Sequence, residues 1–296
     1  MKVEKEYKLQ NYYLAYFDVL GYKAFFNEEE SDHQKFLKDI LGTLDYVKSQ
    51  VNEFSSFSSR IGLRVYSDNF LLYIKAEGQQ DKLYEDFNAL VALTSVVALI
   101  QVKILEQYCI LLRGGITKGE FYVDENIIFG KGLIQAVEIE SKRAIYPRVA
   151  IDIDSFCLKN YDSLWKSLIK KDDDGIYFVD YFSINHYLAV GLGNPIEIIQ
   201  TLRKQIIFLT NKYCKYGSLS REDKINQRSK LIEKYLWVLN KFNDFCNDSD
   251  GTILMNNFVE EKPFQQYAIE YSLSLNKKLL KMEVKCKEKL NEKQRN

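Results

Sequence analysis

Two aspartates and the small residues beside them are the parts of this chain best suited to chemistry. Asp18 closes the apolar run "LAYFDVLGYKAFF" (Leu14 to Phe26) just ahead of Gly21, and Asp68 stands in the turn of "RVYSDNFLLYIK". Carboxylate oxygens are hard ligands that suit Mg²⁺ or Mn²⁺. Two carboxylates that meet at one place repel unless a cation sits between them, and such a pair can hold two metal ions that clamp the attacking and leaving oxygens of a phosphoryl transfer. Gly21 lets the backbone approach a ligand closely and leads into a helix, whose free N–H groups suit phosphate oxygens. Each aspartate also has a plainer reading. Asp is a common turn residue, which accounts for Asp68, and an Asp between a strand and a helix can be an N-cap, which accounts for Asp18.

Other chemistries have little to work with. The only histidines, His33 and His186, lie in no H-E-x-x-H and near no G-x-S-x-G, which leaves zincin and serine-hydrolase mechanisms without their parts. The five cysteines (Cys109, Cys157, Cys214, Cys246 and Cys286) are far apart and form no C-x-x-C. That spacing argues against a disulfide framework or a thiolate zinc site, and fits a reducing cytoplasm as the expected location. The 41 basic and 41 acidic residues balance, so net charge gives no pull toward nucleic acid or an anionic membrane surface. The start, "MKVEKEYKLQ", has no apolar signal core after it, and the longest apolar stretch, Leu90 to Ile100, is shorter than a bilayer span, so no membrane insertion is expected.

The aspartates must be positioned by the elements around them. A chain of 296 residues with 46% hydrophobic content can bury a core in one large or two modest domains. Hydrophobic periodicity predicts a strand at Tyr12 to Leu20, a helix within Asp32 to Phe54, and strands at Leu63 to Tyr66 and Phe70 to Lys75. A long helix without Gly or Pro fills Asp81 to Tyr108, and strands at Cys109 to Thr117 and Glu120 to Val123 follow. A helix at Gly132 to Ala144, a strand at Pro147 to Ile151 and a helix capped by Asp154 complete the block. This β-α-β-β-α-β order with an extra hairpin is an α+β fold, a ferredoxin-like palm with an antiparallel sheet. It would set the Asp68 hairpin beside the first strand, with Asp18 and Asp68 at one sheet edge. Residues 10–185 form the expected palm domain, and 186–296 a lysine-rich helical C-terminal region that includes an amphipathic helix at Phe264 to Leu290.

A third segment makes the set specific: "LLRGGITKGEFYVDENIIFGKGLIQAVEIESKRAIYPRVAID". Together with "FDVLGY" and "YSDN" it resembles the class III nucleotidyl cyclases, the adenylate and guanylate cyclase catalytic domain. In that family a strand-terminal Asp and a hairpin Asp precede an R-x-G-I-x-x-G strand, a G-x-x-V-N-x-A-x-R-x-E helix and a P-x-I strand. "RGGITKG" (Arg113 to Gly119), Gly130, Ala136, Glu140 and "YPRVAID" (Tyr146 to Asp152) fall in register, over roughly residues 12 to 152. With "DDDGIYFVDYF" (Asp172 to Phe182) and the helical tail, the variant looks most like the divergent bacterial cyclases of the Pycsar antiphage systems, which make cyclic pyrimidine nucleotides.

The resemblance implies a site residue by residue. Asp18, Asp68 and the Val19 backbone would bind two Mg²⁺ or Mn²⁺ ions, and the stretch from Val19 through Leu20 and Gly21 to Tyr22 would wrap a triphosphate. Arg64 stands where purine cyclases carry a base-reading Lys or Glu, and Ile127 where they carry a second polar reader, which speaks against purine recognition. Tyr66 and Tyr22 flank the aspartates as possible base contacts or as core. The family's helical Asn and Arg are replaced by Ile134 and Glu138. A cation that would oppose the metals must then come from the Lys131 to Arg148 region, with Arg143 and Arg148 as the catalytic candidates. Arg143 and Lys142 also fit a solvated helix end, Arg148 a salt bridge at the core edge, and Arg113 a structural role in the sheet. The three aspartates at Asp172 to Asp174 fit a D-G turn before a strand better than a metal loop. The implied partners are a nucleoside triphosphate, a second copy of the chain in a two-fold homodimer, and a separate cyclic-nucleotide effector protein, with no direct role for nucleic acid or membrane.

Overall fold

In the computed structural model the described residues are 8–20, 61–158, 168–183, 195–215 and 222–247, with isolated positions between 34 and 45. The expected helix within Asp32 to Phe54 and the amphipathic helix at Phe264 to Leu290 fall outside the described elements. Chain contacts divide the molecule into two compact units, Met1–Gln205 and Ile206–Asn296.

The first unit is built on one sheet. Its strands are β1 (Gln10–Val19), β2 (Ile61–Tyr66), β3 (Asn69–Lys75), β4 (Leu112–Val123), β5 (Ile128–Phe129), β6 (Val149–Ile151), β7 (Ile169–Lys171) and β8 (Tyr177–Val179). They lie in the order β2-β3-β1-β4-β6-β8-β7, with β5 paired to the far end of β4. The sheet is mixed, which corrects the expectation of an antiparallel one: β4 and β6 run parallel, while the other pairs are antiparallel. The reason is the connection. A hairpin returns the chain antiparallel, but β4 reaches β6 through a helix, and a helical crossover brings the next strand back in the same direction.

Two helices cover the sheet. The long helix α1 (Lys82–Tyr108) begins at Asp81, whose side chain accepts the Tyr84 N–H at 3.0 Å, and ends at Cys109 in the left-handed conformation. By length and composition α1 could cross a membrane, contrary to the expectation drawn from the shorter run Leu90 to Ile100; 78% of its apolar window is buried inside the protein. It is the core helix, packed on β1 and β8. The second helix, α2 (Lys131–Lys142), packs on β4, β1 and β6.

Strand periodicity puts the two helices on opposite faces, because successive side chains of β1 point to opposite sides. Tyr13 reaches the α1 face, where its hydroxyl donates to Asp86 at 2.6 Å, while Leu14 lies against Gly132 at the start of α2. Asp86 is fully buried but well provided for. It also takes Lys118 Nζ at 2.5 Å and the Cys157 N–H at 2.7 Å, so the charge buried there is paired rather than stranded.

β4 runs without the break expected at Lys118 and Gly119, because Gly119 keeps the strand flat against Gly132, where an added Cβ would come within 2.8 Å of the Gly132 Cα. Asp154 opens no long helix: a single 3₁₀ turn spans Ile153–Ser155 and follows Asp152. "DDDG" is a turn, with Gly175 at φ 83° between β7 and β8. Helix α3 (Pro195–Lys215) buries Ile198, Ile199 and Leu202 at three- and four-residue spacing. In the second unit, helix α4 (Glu222–Asn247) buries Tyr235, Val238, Leu239 and Phe242 in the same pattern.

Candidate functional site

The α2 face of the sheet carries the candidate site at the C-terminal end of β1. Leu14, Tyr16 and Asp18 share that face, and the β1/β4 register sets Arg113 directly opposite Asp18. The Arg113 guanidinium donates from Nε to Asp18 Oδ1 and from NH2 to Asp18 Oδ2, both at 3.0 Å. This is the planar two-pronged geometry in which arginine holds a carboxylate best. The same NH2 lies 2.8 Å from Glu140 Oε1 on α2, an ion pair by distance without the alignment of a hydrogen bond. Arg113 therefore sits between two acidic groups, Asp18 and the nearly buried Glu140.

"RGG" explains how Glu140 gets there. A Cβ on Gly115 would stand 2.5 Å from the Ala136 carbonyl oxygen and 2.7 Å from Ile139 Cβ, so only glycine admits α2 this close to β4. On the other face, a Cβ on Gly114 would meet the Tyr16 carbonyl oxygen at 2.3 Å.

The hairpin brings Asp68 to the same end of β1. β2 and β3 are joined by Ser67 and Asp68 alone, with Ser67 at φ 57°; a non-glycine residue there is strained by roughly 1–2 kcal/mol. The turn is tied to β1, since the Val19 N–H donates to the Asp68 carbonyl at 3.2 Å. Asn69, opposite Asp18 in the β1/β3 register, donates to Asp68 Oδ1 at 3.4 Å and accepts the Tyr16 hydroxyl at 2.6 Å. Asp18 and Asp68, fifty positions apart in sequence, thus lie on neighbouring stretches of backbone.

The electrostatics follow from this crowding. Tyr16 is pushed up to about 12, by burial first and then by Asp18, Glu140 and Asp68, with Arg113 acting in the opposite sense. Burial works against the Arg113 charge, but the hydrogen bonds and charges of Asp18 and Glu140 outweigh it and raise its pKa.

Could the site hold Mg²⁺ or Mn²⁺? Among the described residues no three acidic, histidine or cysteine side chains converge as a ready-made cage. The available donors are hard oxygens, the carboxylates of Asp18 and Asp68 on neighbouring backbone. That set suits a cation that completes its shell with water and substrate phosphate oxygens. The residues fit such an ion, on condition that Asp18 is shared with Arg113.

The remaining sequence candidates are distributed unevenly. The N–H groups of Val19 and Leu20 are spent on Asp68 and on the Leu111 carbonyl (2.8 Å), so neither can cradle phosphate as expected. Gly21 and Tyr22 lie outside the described residues. Arg64 donates from NH2 to the Asp124 carbonyl at 2.8 Å, in the β4–β5 turn that also holds the exposed Ile127. Tyr66 is exposed at the end of β2.

Arg143 stands at the C-terminal end of α2, its NH1 3.5 Å from Asp152 Oδ1. Arg148 is fully buried, its guanidinium bound to Asp172 and Asp174 and to the Arg143 carbonyl (2.9 Å). Of the two readings open for Arg148, this geometry is that of the salt bridge. Ile134 and Glu138 face solvent on α2, with Glu138 paired to Lys142 at 3.1 Å.

Sequence reasoning passed over Arg113 as a sheet residue, and left Glu140, Asn69 and Tyr16 without a role. The signal was present in "RGG", which marks close helix approach beside a strand arginine, but the partner of that arginine is fixed only by strand register.

No family model matches the chain, and no curated protein matches it. Among solved structures it is similar to the adenylyl cyclase CyaB from P. aeruginosa, at 16% identity and a TM-score of 0.43 over 59% of this chain and 96% of that one. It is also similar to the monomeric guanylyl cyclase domain of the RhoGC fusion protein from the aquatic fungus Blastocladiella emersonii (14%, TM-score 0.39, 59% and 98%). A bacterial light-regulated adenylyl cyclase matches at 12% identity and a TM-score of 0.39, over 67% of this chain and 99% of that one.

Proposed function

We propose that the chain is a metal-dependent nucleotidyl cyclase, which converts a nucleoside triphosphate to a 3′,5′-cyclic nucleotide and pyrophosphate. The observation that carries this reading is the placement of Asp18 and Asp68 on neighbouring backbone at one end of the central strands, with the Arg113 guanidinium between the carboxylates of Asp18 and Glu140. In the reaction the ribose 3′-oxygen bonds to the α-phosphorus, the bond to the bridging oxygen of the β-phosphate breaks, and the hydroxyl proton is released. Bound Mg²⁺ or Mn²⁺ would supply charge neutralisation on the phosphate oxygens. Asp18 and Asp68, with the Val19 carbonyl, would hold the ions. Arg113, bound by Asp18 on one side and Glu140 on the other, would hold the Asp18 carboxylate in place beside the ions.

The substrate reading follows from the resemblance: Arg64 and Ile127 stand where the purine cyclases carry their two base-reading polar residues, and the apolar Ile127 supports a pyrimidine, UTP or CTP, over a purine. The exposed apolar side chains Ile127, Phe129 and Ile134 support a homodimer in which the second copy completes the site. Within that dimer Arg143 remains the catalytic candidate with an exposed guanidinium. The resemblance to the Pycsar cyclases extends the proposal to a cytoplasmic antiphage signal, read by a separate effector protein. Residues 186–296 would serve dimerisation or regulation.

One set of observations favours a second reading. Ile134 and Glu138 cannot do the work of an Asn and an Arg, and Arg148 is committed elsewhere. A nucleotide-binding regulatory module without turnover would show the same face.

Pyrophosphate release and cyclic-product formation with Mn²⁺ and each of ATP, GTP, CTP and UTP separate the two. Turnover with one nucleotide, abolished in both Asp18→Ala and Asp68→Ala, is the expected result. Asp18-dependent nucleotide binding by calorimetry without turnover would establish the regulatory module instead.

A further inference from the structure

The bidentate grip of Arg113 on Asp18 has a cost for any metal. A carboxylate whose two oxygens each accept an N–H from one guanidinium has already found its counter-charge, and a divalent ion arriving there must share Asp18 with a fixed positive charge a few ångströms away. Glu140 changes that balance. It holds the same NH2 at 2.8 Å from the helix side, and its side chain is only 8% exposed, so it is a second, low-dielectric anchor for Arg113.

We propose that Arg113 is a resident counter-ion that competes with metal for Asp18, and that Glu140 sets the metal affinity by drawing the guanidinium toward α2. The inference rests on the metal site of the cyclase reading, and it makes Arg113 and Glu140 positioning residues that tune binding. Three features of the fold make the arrangement specific. Arg113 is locked opposite Asp18 by strand register, Glu140 is fixed by a helix that Gly115 admits to close contact, and Asp18 alone of the two aspartates is gripped from both oxygens.

Loss of a positive charge beside a cation site tightens binding and loss of a negative one weakens it whether or not the guanidinium competes for Asp18. Competition requires those opposite signs, and the deciding variant is the charge-conserving Arg113→Lys, which keeps the field and gives up the two-pronged grip. The test is Mn²⁺ affinity of the full chain, without nucleotide, by calorimetry and by the spin-resonance signal of free Mn²⁺. Arg113→Met is expected to bind about tenfold more tightly than the parent, and Glu140→Gln about tenfold more weakly, as the removal and the tightening of one nearby positive charge require. Arg113→Lys keeps the charge but loses the two-pronged grip, and should bind a few-fold more tightly. It serves as the second variant if Arg113→Met does not fold by circular dichroism. Shifts of the same sign in the Arg113→Met and Glu140→Gln variants, no shift in either, or an Arg113→Lys affinity no tighter than the parent's, overturn the competition while leaving the metal site standing. Absence of Mn²⁺ binding in the parent and in every variant, Asp18→Asn included, overturns the metal-site reading itself.

Discussion

Replacing Gly115 with alanine tests whether the spacing of α2 over β4 sets the strength of the site, without touching a charged group. The added Cβ would stand 2.5 Å from the Ala136 carbonyl oxygen and 2.7 Å from Ile139 Cβ, against the 3.4 Å of ordinary contact. Neither obstacle is the loose end of a side chain, so the helix must retreat by about 0.9 Å to restore that contact. Overpacking of this kind costs about 1–3 kcal/mol, against the roughly 5–15 kcal/mol by which a domain is stable, so the variant should fold. Glu140 follows Ile139 in the same turn. If it moves with the helix, its separation from Arg113 grows from 2.8 Å to about 3.7 Å, which weakens the pair by about 1.4 kcal/mol at an effective dielectric of about 20. Urea unfolding should show the midpoint lowered at unchanged slope. Mn²⁺ affinity should fall by up to about tenfold, in the same direction as Glu140→Gln. A stability change under about 0.5 kcal/mol with unaltered Mn²⁺ affinity would refute the reasoning, since it would mean that glycine is not what admits the helix.

Two further perturbations probe the rest of the unit. Arg148→Met should destabilise by about 3–5 kcal/mol, because it removes the buried guanidinium that pairs with the buried Asp172; a variant as stable as the parent in urea, but without turnover, would move Arg148 back to the site. At alkaline pH, Tyr13, Tyr16 and Tyr181 should titrate late by phenolate absorbance, burial being the first cause for each. A raised pKa in the folded state means that the fold favours the neutral phenol. The stability these groups give is therefore complete below about pH 10, and is lost as pH climbs toward and past the Tyr16 value of about 12. Tyr16→Phe should remove its share of that loss; an unchanged alkaline unfolding profile in that variant would contradict the assigned environment.

Much of the frame was legible in the sequence because it is local. An apolar run closed by Asp18 marked β1, and the turn residues before "NFLLYIK" marked the β2–β3 hairpin with Asp68 in its turn. An uninterrupted apolar period marked α1 from Lys82 to Tyr108, within a residue of the expected bounds. The strand break at Lys118 and Gly119 was misplaced for a local reason too, since a Gly that admits a helix reads in sequence like a Gly that turns the chain.

What each charged group touches was decided by tertiary structure alone. Asp18 and Arg113 are 95 positions apart and become neighbours only through the β1/β4 register. Arg148 joins Asp172 and Asp174 only because the β7–β8 hairpin folds back onto β6. Local pattern fixes which face a side chain takes, since one residue of slippage reverses it. The identity of the partner on that face depends on how distant strands are aligned, and that alignment is settled by the packing of the whole core. The sequence alone therefore set out two aspartates able to hold a metal, and the assembled sheet decided that an arginine already stands against one of them.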